Sequence, residues 1–188
     1  MSKEKIVVLV GSASDLPFAH RVEDFLRESR FQVKCEYRIS SAHRNMEKLL
    51  NDVQSYEKTE EKIVYITMAG LSDALSGVIA GISQRPVIAC PPDLEKHGLP
   101  KAFSSVMMPQ GIAVSLVSSP ENAALAAVKI LALSNPSLKK QVAEYLDKLK
   151  DVVTKADADL RKKEEHERER EHIERIERLQ KAEHVEDT

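Results

Sequence analysis

The sequence predicts an α/β protein: a three-layer α/β/α domain on a doubly wound parallel sheet, followed by a C-terminal helical extension. Two observations support this fold class. As far as Leu133, short apolar runs typical of strands alternate with helical segments, which is the pattern of parallel strands joined by crossover helices. The first run, residues 6–10, is continuously apolar, as expected of a strand that is buried on both faces. Flavodoxin-like and Rossmann-like sheets share this architecture.

The predicted elements follow one another with recognisable signals at their ends. Strands are expected at residues 6–10, 33–39, 63–68, 86–90 and 112–117. Helices are expected from residues 16 and 46, and at 74–82, 99–108 and 120–133. Pro17 and Pro120 suit a first helical turn, and Asn45 is a capping residue type. Gly77 and Gly81 weaken the third helix, so we expect close packing there against another backbone, in this chain or a neighbouring subunit.

Three segments follow from these patterns: an α/β domain at residues 1–134, a packed helix at 135–160 and a charged tail at 161–188. The middle segment carries an apolar stripe at heptad spacing, which we expect to lie against the domain or a neighbouring subunit. Its members are Leu138, Val142, Tyr145, Leu149, Val152 and Ala156. The tail is almost wholly charged, as in a solvated helix or a disordered segment, and Ile173, Ile176 and Leu179 are too few to build a core. We expect His166, His172 and His184 to face solvent rather than a metal.

Composition narrows the range of partners and compartments. The 188 residues include 28 Lys and Arg against 30 Asp and Glu, a net charge of −2, which gives no reason to expect nucleic acid or a membrane surface as a partner. No segment has the length of a membrane span, and the apolar run near the N-terminus is too short for a signal peptide. Cys35 and Cys90 lie in predicted strands, where we expect reduced, buried thiols. A cytoplasmic protein is the expectation.

The first three predicted strands end in turns rich in small and hydroxyl-bearing residues. Ligands of doubly wound sheets bind outside the carboxyl ends of the strands, so we expect these turns to surround one pocket. The candidate ligand-binding residues are Ser12, Ser14, Asp15, Ser41, Arg44, Gly70 and Ser72. Serine hydroxyls and an arginine fork suit a phosphate, and a carboxylate suits a ribose diol. A sugar phosphate or mononucleotide fits better than a dinucleotide, because G-x-G-x-x-G is absent after the first strand. The alternative is three unrelated polar turns.

His43 is the candidate catalytic residue. It stands at a junction between a strand and a helix, where backbone N–H groups and the positive end of the helix dipole favour an anion. An imidazole can gain or lose a proton near neutral pH. The alternative is an ordinary polar loop with a solvated histidine.

Five motifs in residues 5–134 together resemble the PurE family of purine biosynthesis. They are Gly11-Ser-Ala-Ser-Asp15, Ser41-Ala-His-Arg44, Ala69-Gly70, Met108-Pro-Gln-Gly111 and Asn122-Ala-Ala-Leu-Ala-Ala127. The stretches 69–77, 89–92 and 118–120 resemble the class II branch, aminoimidazole ribonucleotide (AIR) carboxylase. The resemblance implies a homo-octamer that carboxylates AIR with CO2 and needs neither biotin, ATP nor metal, so no cofactor is expected.

The resemblance also assigns roles to the pocket residues. It implies that Ser12 and Asp15 bind the ribose and phosphate side, that Ser41 and Arg44 hold the phosphate, and that Gly70 and Ser72 line the side of the base and CO2. His43 would move the proton that the ring carbon loses on carboxylation.

Three positions differ from the usual class II pattern. Leu71 and Met107 stand where arginine is common, and Asp73 where asparagine is common, which removes cationic charge and adds a carboxylate near the predicted pocket. The alternatives are therefore an N5-carboxyaminoimidazole ribonucleotide mutase, a carboxylase of another mononucleotide, or a catalytically silent subunit whose charged tail is an interaction arm. The mutase is disfavoured because the 69–77 loop lacks the class I histidine.

Overall fold

In the computed structural model, which describes the backbone of residues 3–186 and the side chains of residues 3–173, five parallel strands form a sheet. The strands are β1 (Glu4–Val10), β2 (Lys34–Ile39), β3 (Lys62–Met68), β4 (Val87–Ala89) and β5 (Ser115–Leu116). Their order is β2-β1-β3-β4-β5, which is the flavodoxin-like order. The predicted doubly wound parallel sheet is confirmed.

Helices follow the strands, as predicted, and one short helix at Leu94–His97 was not predicted. After a single turn of 3₁₀-helix at Ala13–Asp15, the α-helices are α1 (Leu16–Glu28), α2 (Met46–Glu57), α3 (Ala74–Ile82), α4 (Leu94–His97), α5 (Leu99–Val106), α6 (Pro120–Ala132) and α7 (Pro136–Glu186). Pro17 and Pro120 lie in the first turns of α1 and α6. Asn45 caps α2, because its Oδ1 accepts a hydrogen bond from Lys48 N at 3.0 Å.

The sheet is covered on both faces, which is why β1 reads as a continuous apolar run. Its residues 6–10 are all fully buried. Val7 and Leu9 share a core cluster with Leu49 and Val53 of α2 and with Leu75 and Ile79 of α3. Helices α1 and α6 contact each other and pack on the other face of the sheet, where their buried residues include Val22 and Val128.

The fifth strand is shorter than predicted. Only Ser115–Leu116 pairs with β4, whereas the apolar pattern predicted a strand over residues 112–117. The Ile112 side chain lies against α3 instead, with its Cδ1 3.4 Å from the position that a Cβ on Gly81 would take. The apolar pattern therefore reflects side-chain packing here and not strand pairing. Likewise, the helix predicted at 99–108 ends at Val106.

The glycines of α3 do pack closely, but not against a backbone. A Cβ at Gly77 would lie 2.9 Å from Met108 Sδ and 3.2 Å from its Cε. Gly81 faces Ile112 less tightly. The expectation of close packing is met by side chains of the same chain, and not by another backbone.

The chain divides into two compact units, Met1–Ala143 and Glu144–Thr188. The start of α7 belongs to the first unit, where Leu138 is buried and Gln141 Oε1 accepts a hydrogen bond from Gln32 N at 2.9 Å. In the second unit, the stripe residues Leu149 and Val152 are 44% and 64% exposed.

The rest of the second unit is helical as far as it is described. His166 and His172 are exposed, as expected, whereas the side chains of Ile176, Leu179 and His184 lie outside the described residues. None of the described helices is both long and apolar enough to cross a membrane.

Candidate active site

A cavity of about 260 Å³ lies at the carboxyl edge of the sheet, where the turns after β1, β2 and β3 meet. The order β2-β1-β3 makes this the point at which the sheet is wound in both directions, and ligands of such folds bind there. The cavity is lined by Gly11, Ser12, Ser14, Asp15, Ser41, Ala42, His43, Arg44, Ala69, Gly70, Leu71, Ser72 and Leu75. The structure thus brings all eight sequence-predicted site residues to one cavity.

The turn after β1 presents two hydroxyls and a carboxylate. Ser12 Oγ accepts hydrogen bonds from Ser14 N at 3.4 Å and from Ser14 Oγ at 3.0 Å, which fixes the 3₁₀ turn that leads into α1. Asp15 is partly buried. Burial raises the pKa of the Asp15 carboxyl above its ordinary value, and the nearby charge of Asp93 acts in the same direction. Lys101 and Arg44 oppose that rise, so two cations influence the carboxylate.

The turn after β2 carries His43 and Arg44. Ser41 Oγ accepts a hydrogen bond from Arg44 N at 3.3 Å, and Ser41 O accepts one from Asn45 N at 3.0 Å. These bonds hold the turn directly before the first residue of α2, so the positive end of that helix dipole lies beside the cavity. Both the imidazole and the guanidinium are exposed, and a ligand in the cavity can reach them.

Buried Ser40 anchors this turn to α2. Its hydroxyl hydrogen-bonds Asp52, and Lys48 Nζ donates to Asp52 Oδ2 at 2.5 Å. Although burial raises the pKa of Asp52, the hydrogen bonds from Lys48 and Ser40 lower it more, so the net shift is downward. These bonds favour the ionised form of Asp52 and tie the end of β2 to the helix.

The turn after β3 is held from outside by two charged residues that the sequence analysis missed. Leu71 has a left-handed backbone, with φ of 55°, and its N–H donates to Asp93 Oδ2 at 2.8 Å. Lys101 Nζ donates to Ala69 O at 2.6 Å and to Leu71 O at 2.5 Å. Neither Asp93 nor Lys101 belongs to a motif, since each is distant in sequence from the turn it contacts. A lysine in an amphipathic segment gives no sign that it is buried.

Asp73 does not place a carboxylate in the cavity, contrary to the sequence-based expectation. It is buried and caps α3, with its Oδ1 accepting from Ser76 N at 3.1 Å. Its Oδ2 accepts from Ser76 Oγ at 2.7 Å and from Ser105 Oγ at 2.6 Å. The carboxylate is hydrogen-bonded to the start of α3 and to Ser105 of α5. A residue just before a helix commonly turns its side chain back to the free N–H groups of the first turn.

The two glycines of the cavity leave room for a ligand. A Cβ at Gly11 would come no closer than 3.6 Å to Ala69 Cβ, and one at Gly70 would lie 3.5 Å from Asp93 Oδ2. Both are ordinary contacts, so the surrounding chain does not require glycine at either position. Among the described residues, no three His, Cys, Asp or Glu side chains group as metal ligands would.

A family model described as AIR carboxylase matches residues 5–152. The chain belongs to the AIR carboxylase family. A phosphoribosylaminoimidazole carboxylase of Archaeoglobus fulgidus is 40% identical over 157 residues, which is 84% of this chain and 85% of the relative. An N5-carboxyaminoimidazole ribonucleotide mutase of Methanocaldococcus jannaschii is also 40% identical, over 154 residues that make up 81% of this chain and 94% of the relative.

Solved structures of the family share the fold. The crystal structure of Treponema denticola PurE superposes with a TM-score of 0.80 at 33% identity, covering 84% of this chain and 98% of that one. Membership in the AIR carboxylase family confirms the resemblance drawn from the sequence motifs.

Proposed function

We propose that this chain carboxylates 5-aminoimidazole ribonucleotide with CO2 to give 4-carboxy-5-aminoimidazole ribonucleotide. The observation that carries this proposal is the single cavity that joins His43 to the three polar turns. Its dimensions suit a mononucleotide, and its lining offers hydroxyls, a guanidinium and a helix N-terminus for the phosphate. Membership in the AIR carboxylase family supports the same reaction.

The chemistry requires one proton transfer. The electron-rich C4 of the aminoimidazole attacks the carbon of CO2 and forms a C–C bond. One C=O π bond of CO2 opens at the same time, and its electron pair moves to oxygen, which gives the carboxylate. The C4–H bond then breaks, its electron pair restores the aromatic ring, and His43 as a neutral base takes the proton. In reverse, the same imidazolium returns the proton and CO2 leaves.

The other residues would bind and orient the nucleotide. Arg44 and Ser41 would hold the phosphate at the start of α2. Ser12, Ser14 and Asp15 would contact the ribose, and Gly70 and Ser72 would line the side on which CO2 meets the ring. Held in this way, C4 and CO2 would react as neighbours and not as dilute partners, which lowers the entropic part of the barrier.

The test is direct assay of AIR with bicarbonate, following the carboxylated nucleotide. We expect turnover without ATP, biotin or added metal. His43→Asn should lower kcat by about 10²- to 10⁴-fold, the usual contribution of a general base. His166→Asn changes an exposed histidine of α7 that does not line the cavity, so it should leave turnover unchanged. Inert wild-type protein, or a fully active His43→Asn, would overturn the proposal.

The second candidate is the mutase reaction, because a relative of equal identity bears that name. Here the bond between N5 and its carboxylate breaks and N5 gains a proton. The released CO2 is added to C4, and the C4–H bond then breaks and gives up its proton. Turnover of N5-carboxy-AIR without exchange of free labelled bicarbonate would favour it. Turnover of neither nucleotide would favour a carboxylase of another mononucleotide or a silent subunit.

We also propose that the chain forms a homo-octamer in the cytoplasm. Four apolar side chains stand exposed along one short stretch, at Leu99, Phe103, Val106 and Met107, and a neighbouring subunit would cover them. Cys35 and Cys90 are both unpaired, as expected in a reducing compartment, although only Cys90 is buried and Cys35 is partly exposed.

A further inference from the structure

Lys101 is an unusual residue in the first unit. Within the part of the chain whose side chains are described, it is the one basic residue that is buried, at 3% exposure. An ammonium group is rarely removed from water unless it is paired and hydrogen-bonded. Lys101 Nζ donates two of its three N–H bonds to the carbonyls of Ala69 and Leu71, which are two residues apart. The lysine therefore fastens a turn that lines the cavity.

Asp93 holds the same turn through Leu71, whose N–H it binds while Lys101 binds the carbonyl. Its Oδ2 accepts the Leu71 N–H at 2.8 Å, so the two polar groups of Leu71 are both taken by charged side chains. Asp93 Oδ1 is buried and lies 3.9 Å from Lys101 Nζ. A left-handed backbone is unfavourable for leucine, and it persists only where neighbours impose it. Asp93 and Lys101 are those neighbours.

Because peptide groups are planar and trans, the hydrogen bonds to Lys101 also set the direction of N–H groups in the turn. Each C=O points opposite to the N–H of the next residue. When Ala69 O and Leu71 O point to Lys101, the N–H groups of Gly70 and Ser72 turn away from it. Gly70 and Ser72 both line the cavity, and no hydrogen bond within the described residues engages either N–H. Two backbone donors of this kind can stabilise a developing carboxylate.

The charge of Lys101 acts in the same place. Burial lowers the pKa of the Lys101 ammonium below its ordinary value, and the nearby charges of Asp73, Asp93 and Asp15 offset only part of that fall. One of those acids, Asp15, lines the cavity. The ammonium group of Lys101 lies against this turn, although Leu71 itself carries no charge.

We propose that Lys101 and Asp93 are positioning residues that hold the 69–72 turn so that the N–H groups of Gly70 and Ser72 face the carboxyl group at C4. The catalytic part of this proposal rests on the proposed function, whereas the structural part does not. Neither residue lines the cavity, so both act through the turn.

The experiment compares four variants in the full-length chain. Lys101→Met removes the charge and the donors, and Asp93→Ala removes the acceptor for Leu71. Asp93→Asn keeps an acceptor and serves as the conservative variant. Lys96→Met is the matched control, because Lys96 is an exposed lysine of α4. Amide hydrogen exchange is measured over residues 69–75 and 41–45, together with KM and kcat for AIR and bicarbonate.

We expect Lys101→Met and Asp93→Ala to accelerate exchange in 69–75 by about tenfold or more, with 41–45 unchanged. Both should lower kcat by about 10²-fold, the effect of a misplaced reacting geometry, while KM for the nucleotide stays within about threefold. Asp93→Asn and Lys96→Met should resemble the wild type. If Lys101→Met does not fold, the contrast between Asp93→Ala and Asp93→Asn decides alone.

Folded Lys101→Met or Asp93→Ala protein with wild-type exchange and wild-type kcat would overturn the proposal. Exchange is measured without substrate, so it distinguishes the two proposals. A wild type that does not turn over AIR, with exchange accelerated in the variants, would refute the proposed function and leave the positioning role in place.

Discussion

At the scale of single residues, the electrostatics of the cavity depend on where each charged side chain points. Asp73 precedes a helix and turns its carboxylate to the free N–H groups and to Ser105, away from the cavity. Lys101 is far from the turn in sequence, yet its ammonium lies against two carbonyls of that turn. A sequence count of charges near the motif therefore includes Asp73, which faces away from the cavity, and misses Lys101, which lies against the turn.

Asp73 gives a prediction about stability. Asp73→Ala removes a helix cap and leaves the hydroxyls of Ser76 and Ser105 without their acceptor, which should lower the free energy of unfolding by about 1–3 kcal/mol. Asp73→Asn should cost less, because asparagine also caps helices. Urea unfolding monitored by circular dichroism measures both.

The matched control for Asp73 is Asp157→Ala, at an exposed aspartate of α7 whose ion pair with Arg161 lies at the surface. Such surface changes stay within about 0.5 kcal/mol. Equal effects of Asp73→Ala and Asp157→Ala would show that the buried network does not stabilise the fold.

At the scale of elements, the packing of α3 explains why a poor helix-forming segment is helical. Its start is capped by Asp73, and Leu75 and Ile79 are buried in the core under the sheet. Tertiary packing outweighs the propensity lost at two glycines. Those glycines differ, because Gly77 faces Met108 at 2.9 Å whereas Gly81 meets Ile112 at 3.4 Å.

The two glycines therefore respond differently to alanine. Gly81→Ala should raise the free energy of unfolding by about 0.5–1 kcal/mol, since alanine favours the helix and the added methyl makes only ordinary contact. Gly77→Ala should stabilise the protein less than Gly81→Ala, because its methyl must first displace the flexible end of the Met108 side chain. Denaturant unfolding of both variants compares them directly.

A double-mutant cycle gives the check on that explanation. In a Met108→Ala background the penalty at Gly77 should disappear, since the atoms that the new methyl meets are gone. Equal stabilisation by the two glycine substitutions in the natural background would contradict the packing argument.

At the scale of the whole molecule, the exposed apolar side chains of α5 and of Met107 directly after it predict association. Leu99 is 70% and Met107 76% exposed, and half of Phe103 is accessible. Sedimentation velocity should give a particle of eight times the 21.0 kDa chain mass. Phe103→Glu should shift that particle to smaller species, because a buried unpaired charge is costly in an interface. Lys96→Glu, at an exposed polar site, should not.

Association would be contradicted by a monomeric wild type. It would equally be contradicted at this surface by a Phe103→Glu protein that keeps its secondary structure and its full mass. Far-UV circular dichroism of the variant separates loss of assembly from loss of folding.

Most of the fold was predictable because burial leaves a periodic record in the chain. Residues 6–10 of strand β1 are all apolar since helices cover both faces of the sheet, and Pro17, Asn45 and Pro120 mark helix starts for reasons confined to one turn of backbone. The eight site residues were also predictable, because parallel strands bring their carboxyl ends to one edge of the sheet. Around β5, apolar side chains pack without pairing of their backbone to a neighbouring strand, so the apolar pattern predicted a strand four residues too long.

The sequence by itself determined the alternation of strands and helices along the chain, the three turns that meet at the cavity, and the family to which the chain belongs. Only the tertiary structure decided that Lys101 and Asp93 hold Leu71, that Asp73 turns into the helix, and that Met108 fills the space beside Gly77. The physical reason is range. Periodicity and capping are set by neighbours within a few residues, whereas the partner of a buried charge is chosen by the packing of segments that are distant in sequence.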